Sequence, residues 1–413
     1  MNQAREDINC EEVYSMGITG RGVGVAVLDT GIYLHEDFKD RVTAFADFVN
    51  HRTSPYDDNG HGTHIAAMIG GSGISSDGKY RGVAPGCSLI SVKVLDQKGN
   101  GYATDVLTGL KWIRENRDRY NIRIVNISVG SLSRRDMTEN SILVRGVNAA
   151  WDDGLVVVVA AGNHGPGRMT ITTPGISRKV ITVGCSDDHK EVDVMGSRMV
   201  DYSGRGPTLA CVCKPDLVAP GSGIISCCNE PGKYFSKSGT SMSTPLVSGA
   251  IALLLEKYPD MSNKDVKLRI RERALDLGLP HNQQGWGKLD VGELLWKKIR
   301  VTNSFAIHYT HQVQWNGVSL NIIGSHNFYN VGVRLATYAN KVPSDGIVGE
   351  FYSIPSGFTD IKVVYKNWDV YVVFTVVQGQ SVYFKYDCST PCDIIKDISF
   401  IDESYKEIKP IAQ

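Results

Sequence analysis

Apolar residues follow three different rhythms along this 413-residue chain, and each rhythm predicts a different element. The unbroken runs Val25-Ala26-Val27-Leu28 and Leu155-Val156-Val157-Val158-Val159-Ala160-Ala161 have no polar face. They predict strands covered on both sides, as in a parallel sheet. After Pro245, residues Leu246, Val247, Ala250, Ile251, Leu254 and Leu255 recur at helical spacing and predict a buried helix with Ser241 at its start and Pro245 in its first turn. A second, small-residue helix is predicted to begin at His61 and His64 and to run through Ala66, Ala67 and Gly70. Beyond Trp296-Lys297-Lys298 the rhythm becomes an alternation, as in Ile361-Lys362-Val363-Val364-Tyr365, Val370-Tyr371-Val372-Val373-Phe374 and Ser381-Val382-Tyr383-Phe384-Lys385-Tyr386, broken by Gly, Asn, Pro and Asp. The chain therefore reads as an α/β domain over residues 1–300, followed by an antiparallel, sandwich-like β-rich domain over residues 301–413.

Each of the apolar elements meets a polar group capable of chemistry. The first strand ends at Asp29, on the sheet edge where open α/β folds place their sites. Asn163 follows the second run. Ser241 sits at a helix start, where free backbone N–H groups can face an oxyanion. Taken singly, these residues have ordinary uses as a loop cap, a turn former and an N-cap. The paired histidines could ligate a metal, but no third His, Cys or carboxylate lies nearby at zinc-site spacing.

Together the segments Val27-Leu28-Asp29-Thr30-Gly31, Gly60-His61-Gly62-Thr63-His64 and Gly239-Thr240-Ser241-Met242-Ser243-Thr244-Pro245 resemble the acid, histidine and serine motifs of the subtilisin-like serine peptidases, or subtilases, in that family's order. Further family-like strings are Gly82-Val83-Ala84-Pro85, Asn126-Ile127-Ser128-Val129-Gly130, Ala160-Ala161-Gly162-Asn163, Tyr202-Ser203-Gly204-Arg205-Gly206-Pro207, Lys214-Pro215-Asp216-Leu217-Val218-Ala219-Pro220-Gly221 and Gly285-Trp286-Gly287-Lys288-Leu289. The resemblance spans residues 8 to 297 and implies a three-layer α/β fold with a mainly parallel central sheet. It also implies a serine endopeptidase of broad or apolar-leaning specificity. In that reading Ser241 is the nucleophile, His61 its base, and Asp29 orients His61. The Asn163 side chain and the Ser241 backbone N–H hold the oxyanion. His64 is left a packing role. Gly99-Asn100-Gly101 and Ser128-Val129-Gly130 match segments that hold an extended peptide as an added strand, and neither has the spacing of a phosphate loop. Ala160, Ala161 and Gly162 would floor a roomy apolar pocket. Thr173-Pro174 aligns with a proline that is often cis in the family.

The departures from the family pattern sharpen this picture. Ser243 stands where Ala is usual, and Leu246 where His is common. Residues 71–81 replace the Asn-rich loop that builds a calcium site in secreted subtilisins, and with one carboxylate and two cations they make a poor cage for a hard cation. Asp37 matches one ligand of that site, although a lone carboxylate is ordinarily a surface acid. No cofactor is therefore expected to be required, and no metal site is assigned.

Charge and cysteine content bear on partners and setting. The 44 acidic and 44 basic residues cancel, so no electrostatic footprint for nucleic acid or an anionic membrane is visible, and the expected partners are peptides. Met1–Cys10 lacks the apolar core of a signal peptide, and only a helix-like lead-in precedes Asp29. The expected setting is cytoplasmic, or secreted if the chain is a processed mature form. Nine cysteines, an odd number, leave at least one thiol unpaired and favour a reducing compartment. Cys211-Val212-Cys213 and Cys227-Cys228 lack the two-residue spacer of a zinc site. Cys388 and Cys392 could pair in an oxidising medium. The alternative to an enzyme is a peptide-capturing protein on the same fold, which the complete set Asp29, His61, Ser241 and Asn163 argues against.

Overall fold

The strand β1, Gly24–Asp29, is buried along its whole length, as an apolar run without a polar face requires. In a computed structural model, which describes residues 1–131, 138–194 and 196–295 and, beyond these, only strand backbone between 297 and 401, β1 is the third strand of a seven-stranded sheet. The other strands are β2 (Val42–Asp47), β3 (Ser88–Lys93), β4 (Ile122–Ile127), β5 (Val156–Ala160), β6 (Ile181–Cys185) and, after a small hairpin of β7 (Val192–Val194) and β8 (Ser197–Met199), β9 (Leu217–Ala219). Their order is β2-β3-β1-β4-β5-β6-β9, and every neighbouring pair is parallel. The winding direction reverses at β1, so the crevice beside its carboxyl end is where such a sheet receives a ligand.

Helices sandwich the sheet. The short α1 (Asn2–Asp7) and α2 (Glu11–Tyr14) lead in, and α3 (His61–Gly70), α4 (Ala103–Asn116), α5 (Ile142–Asp152), α6 (Thr240–Lys257), α7 (Asn263–Arg273), α8 (His281–Gln284) and α9 (Val291–Leu295) follow. One layer joins α3 to α6, and the other joins α4 to α5. The helix α6 is buried at every residue from Met242 to Leu255, because it crosses β1, β4, β5, β6 and β9 and has no wet face to supply. It begins at Thr240. Pro245 therefore lies in the second turn rather than in the first turn that the sequence suggests.

The chain divides into two compact units, Met1–Leu294 and Leu295–Gln413. In the second, the backbone strands Gly346–Glu350, Phe358–Lys366, Asp369–Val376, Ser381–Tyr386 and Phe400–Ile401 form one five-stranded antiparallel sheet. The three alternating runs named above fall within these strands. Their packing into a sandwich and the Cys388–Cys392 pair lie outside the described residues. Among the described residues no helix is long and apolar enough to cross a membrane.

Candidate active site

The carboxyl edge of the sheet collects the polar groups. Asp29, the last residue of β1, is buried, and its Oδ1 lies 2.7 Å from His61 Nδ1. A carboxylate only accepts, so Nδ1 carries the proton and a neutral ring keeps its lone pair on Nε2. His61 is the first residue of α3, and that helix start is fixed by a residue the sequence reading passed over. Asp57 accepts from the backbone N–H groups of Asn59, Gly60 and Thr63 and from the hydroxyls of Thr30 and Thr63, at 2.6–3.1 Å. Burial pushes the Asp57 carboxyl up, but these hydrogen bonds outweigh it and hold it below the usual carboxylate range. The approach of α3 to β1 also requires glycine at residue 62, where a Cβ would lie 2.2 Å from the Gly31 carbonyl oxygen. Lys93, fully buried at the end of β3 and level with Asp29, donates to Thr30 O, Leu95 O and Asp58 Oδ1 at 2.6–2.8 Å. Its three protons are thereby all satisfied. A single cation inside the apolar run Leu89–Leu95 was the signal for such a role.

Ser241 is the second residue of α6 and follows Gly239, whose φ of 141° suits only glycine and whose Cβ would press on Asn163 Nδ2 at 3.0 Å. Its hydroxyl donates to Ser128 O at 2.8 Å, so the bond to His61 is not made in this resting arrangement, as is common before substrate binds. The Ser128 hydroxyl in turn donates to Ser241 O at 3.1 Å. That carbonyl is free because its helical partner would be the N–H of residue 245, and proline has none. Asn126 and Ser248 extend the link, with Asn126 Nδ2 donating to Ser128 Oγ and Ser248 Oγ to Asn126 Oδ1. The two departures on α6 are also satisfied locally. The Ser243 hydroxyl donates to Ala219 O at 2.8 Å, and Leu246 is fully buried.

Asn163 is oriented by Thr240. The Thr240 N–H, which can only donate, fixes Asn163 Oδ1 at 2.9 Å, and the Thr240 hydroxyl reaches the same oxygen at 3.0 Å. The amide N–H₂ is thereby left for an oxyanion. The Gly162 N–H donates to Thr240 Oγ1 at 3.1 Å. Thr240 thus ties the end of β5 to the start of α6, although the sequence offered it only as a letter in a motif.

The remaining residues expected to bind substrate lie on the same edge. Gly99, Asn100 and Gly101 form an exposed turn between β3 and α4, held by Asp96. Ser128, Val129 and Gly130 directly follow β4. Ala160 closes β5 and is buried, and Ala161 packs into a core cluster with Val144, Ile171 and Ile176. Thr172, buried, fills the space beside Gly130 and Gly162, where a Cβ on either would meet it at 2.5 or 2.4 Å. The Thr173-Pro174 bond is cis, as expected. His64 has the packing role: Nε2 lies 3.1 Å from both Ile224 O and Phe235 O, so it must carry the proton, and burial lowers the ring's pKa to about 3.

Asp77 is exposed, and the carbonyls of Gly78 and Arg81 accept from the Arg5 guanidinium, at 2.6 Å for the latter. Asp37 is not a surface acid. It is fully buried because Ser75 N–H, Tyr234 Oη and Cys227 Sγ supply its oxygens with donors. The paired cysteines separate by environment, with Cys211 and Cys213 exposed and Cys227 buried, and the seven described cysteines are all unpaired.

Residues 20–287 match the model of the subtilase family. Serine protease AprX of Bacillus subtilis is 44% identical over 286 residues, 65% of each chain. Subtilisin Savinase of Lederbergia lenta is 36% identical over 272 residues, 66% of this chain and 90% of its own. Among solved structures, Sphericase superposes with a TM-score of 0.57 at 32% identity, over 66% of this chain and 92% of that one. The chain thus spans about two thirds of the length of AprX and nearly all of Savinase and Sphericase. With its seven-stranded parallel sheet and its Asp, His and Ser motifs on one edge, the chain belongs to the subtilase family of serine peptidases.

Proposed function

We propose that the protein is a serine endopeptidase that cleaves extended polypeptide segments through an acyl-enzyme, with broad or apolar-leaning preference. The observation that carries this reading is the 2.7 Å contact between buried Asp29 and His61 Nδ1, on the same sheet edge as Ser241 and the oriented amide of Asn163. On substrate binding the Ser241 hydroxyl exchanges its bond to Ser128 O for one to His61 Nε2, which takes its proton as Oγ attacks the carbonyl carbon. The oxygen gains negative charge and is met by Asn163 N–H₂ and the Ser241 N–H. His61, now an imidazolium stabilised by Asp29, returns the proton to the leaving amine. Water then repeats the cycle on the ester.

Gly99–Gly101 and Ser128–Gly130 would flank the peptide, and Thr172 would limit the side chain before the cut to a moderate apolar group. No calcium at residues 71–81 is needed for this chemistry, which Arg5 supports by holding the loop carbonyls itself. The unpaired described cysteines support a reducing, cytoplasmic setting. Every residue assigned to the chemistry lies between Asp29 and Ser241, and truncation near Ile299 should leave cleavage of a small chromogenic peptide intact.

The bond from Ser241 to Ser128 O favours a second reading, peptide capture with turnover secondary. Mass spectrometry of a denatured peptide mixture after incubation separates the two. Cleavage products with small or apolar residues before the cut support the peptidase, and an unchanged mixture with peptides retained on the protein supports capture.

A further inference from the structure

On the far side of the segment that leaves Asp29, three side chains with no part in the proposed hydrolysis converge. His35, Asp37 and Cys227 are buried, and one ligand atom from each lies within 4.8 Å of the others. His35 and Asp37 follow β1. Cys227 ends β10 (Ile224–Cys227), which pairs with β11 (Tyr234–Lys237) and packs on α3. Cys227 Sγ is 3.3 Å from Asp37 Oδ2, and His35 Nδ1 is 3.8 Å from Asp37 Oδ1. Ligands of a tetrahedral zinc ion stand roughly 3.2–3.8 Å apart, so small side-chain shifts suffice to close the set.

The ring of His35 leaves one nitrogen for an ion. Its Nδ1 accepts from the Asp37 N–H at 3.2 Å, so the neutral ring's lone pair is on Nδ1, the atom that would exchange this hydrogen bond for a metal. The ring also borders a surface recess of about 540 Å³ whose other lining residues are Leu34, Glu36, Asp40, Ile74 and Ser75. The two carboxylates give a cation an attractive route inward.

We propose that His35, Asp37 and Cys227 form a site for one thiophilic divalent ion, zinc being the natural choice, which pins the segment after β1 to the hairpin packed on α3. The donor set selects against calcium and magnesium, which take oxygen ligands. Binding expels the thiol proton to solvent. A thiolate, a carboxylate and a neutral imidazole then cancel the charge of the ion, which suits a buried site. Tyr234 Oη, donating to Asp37 Oδ2 at 2.9 Å, and the Ser75 N–H, donating to Oδ1 at 3.0 Å, hold the carboxylate from behind. The recess leaves the fourth position to water.

The test uses the full chain carrying Ser241→Ala, to prevent self-digestion, stripped with chelator and titrated with Co²⁺. One equivalent should bind with a thiolate-to-cobalt charge-transfer band in the near ultraviolet, and Zn²⁺ should displace it and raise Tm. Cys227→Ser should abolish the band, and His35→Gln should weaken binding by about 100-fold or more. The double variant Cys211→Ser, Cys213→Ser should retain both band and Tm shift, since its thiols are exposed. Circular dichroism checks each fold, and His35→Gln carries the test if Cys227→Ser does not fold. Absence of stoichiometric binding by the folded protein, a band that persists in folded Cys227→Ser, or a Tm rise with Ca²⁺ and none with Zn²⁺ would overturn the proposal.

Discussion

The catalytic edge and the loop at residues 71–81 solve opposite problems. At the edge, each side chain proposed for the chemistry stands at the end of a regular element and is oriented by a buried second group: Asp57 fixes the start of α3 beneath His61, and Thr240 fixes the Asn163 amide. In the loop, the hydroxyls of Ser72 and Ser76 bond to backbone within the segment, and further ties come from outside it. The Gly78 and Arg81 carbonyls meet Arg5, more than 70 residues earlier in the chain, and the Ser75 N–H meets Asp37. A motif that carries chemistry keeps its residues because geometry and reactivity both constrain them. A loop that only needs its carbonyls satisfied accepts any cation, including one supplied by the chain.

The largest effect should come from the edge. Ser241→Ala should remove peptide hydrolysis while the fold persists; in a subtilisin, loss of the corresponding serine lowers turnover on the order of a millionfold. Residual turnover above about one percent in a variant shown to be free of wild-type protein would remove Ser241 from its role. Asn163→Ala should lower kcat about 100- to 1000-fold with little change in KM. Thr240→Val keeps the backbone donor to Asn163 and loses only the hydroxyl, so kcat should fall about tenfold. The positioning role adds a stricter requirement: Thr240→Val should have almost no further effect in the Asn163→Ala background. Additive losses would show that Thr240 acts by another route.

The loop should respond in stability rather than rate. Arg5 is 4% exposed, and Arg5→Ala takes from the Arg81 carbonyl its 2.6 Å guanidinium donor, at a cost of about 2 kcal/mol. Tm should fall by several degrees, with kcat for a small peptide little changed. Adding calcium should not restore it, and chelation with a calcium-selective agent should leave the parent protein's Tm in place. Recovery of the variant by calcium would show that the loop remains a calcium cage.

The smallest effect is a pH dependence of stability at the edge. His64, held neutral with a pKa lowered to about 3 from 6.5, takes no proton in the folded state where the unfolded chain does, so stability falls as pH drops below 6.5 toward 3. Asp57, held low, contributes stability that is present above the unfolded carboxylate pKa and lost as pH falls through its folded value. Urea unfolding of the Ser241→Ala protein at about pH 6.5 and about pH 4.5 should show this loss, and His64→Gln should reduce the difference. An unchanged difference in that variant would assign the acid sensitivity elsewhere.

Apolar runs without a polar face determined β1 and β5 as central strands, and helical spacing after Pro245 determined α6. The motif residues at their ends marked Asp29, His61, Asn163 and Ser241. These were legible because each depends on neighbours within a few positions, where periodicity and turn chemistry act. Tertiary structure decided the rest. Asp37 is buried beside Cys227 and His35, Arg5 serves a loop far along the chain, Thr172 packs against Gly130 and Gly162, and Ser128 supplies the partner that Pro245 denies to Ser241. Each of these depends on which donor meets which acceptor across elements distant in sequence, and a buried polar group must find such a partner wherever the fold provides it.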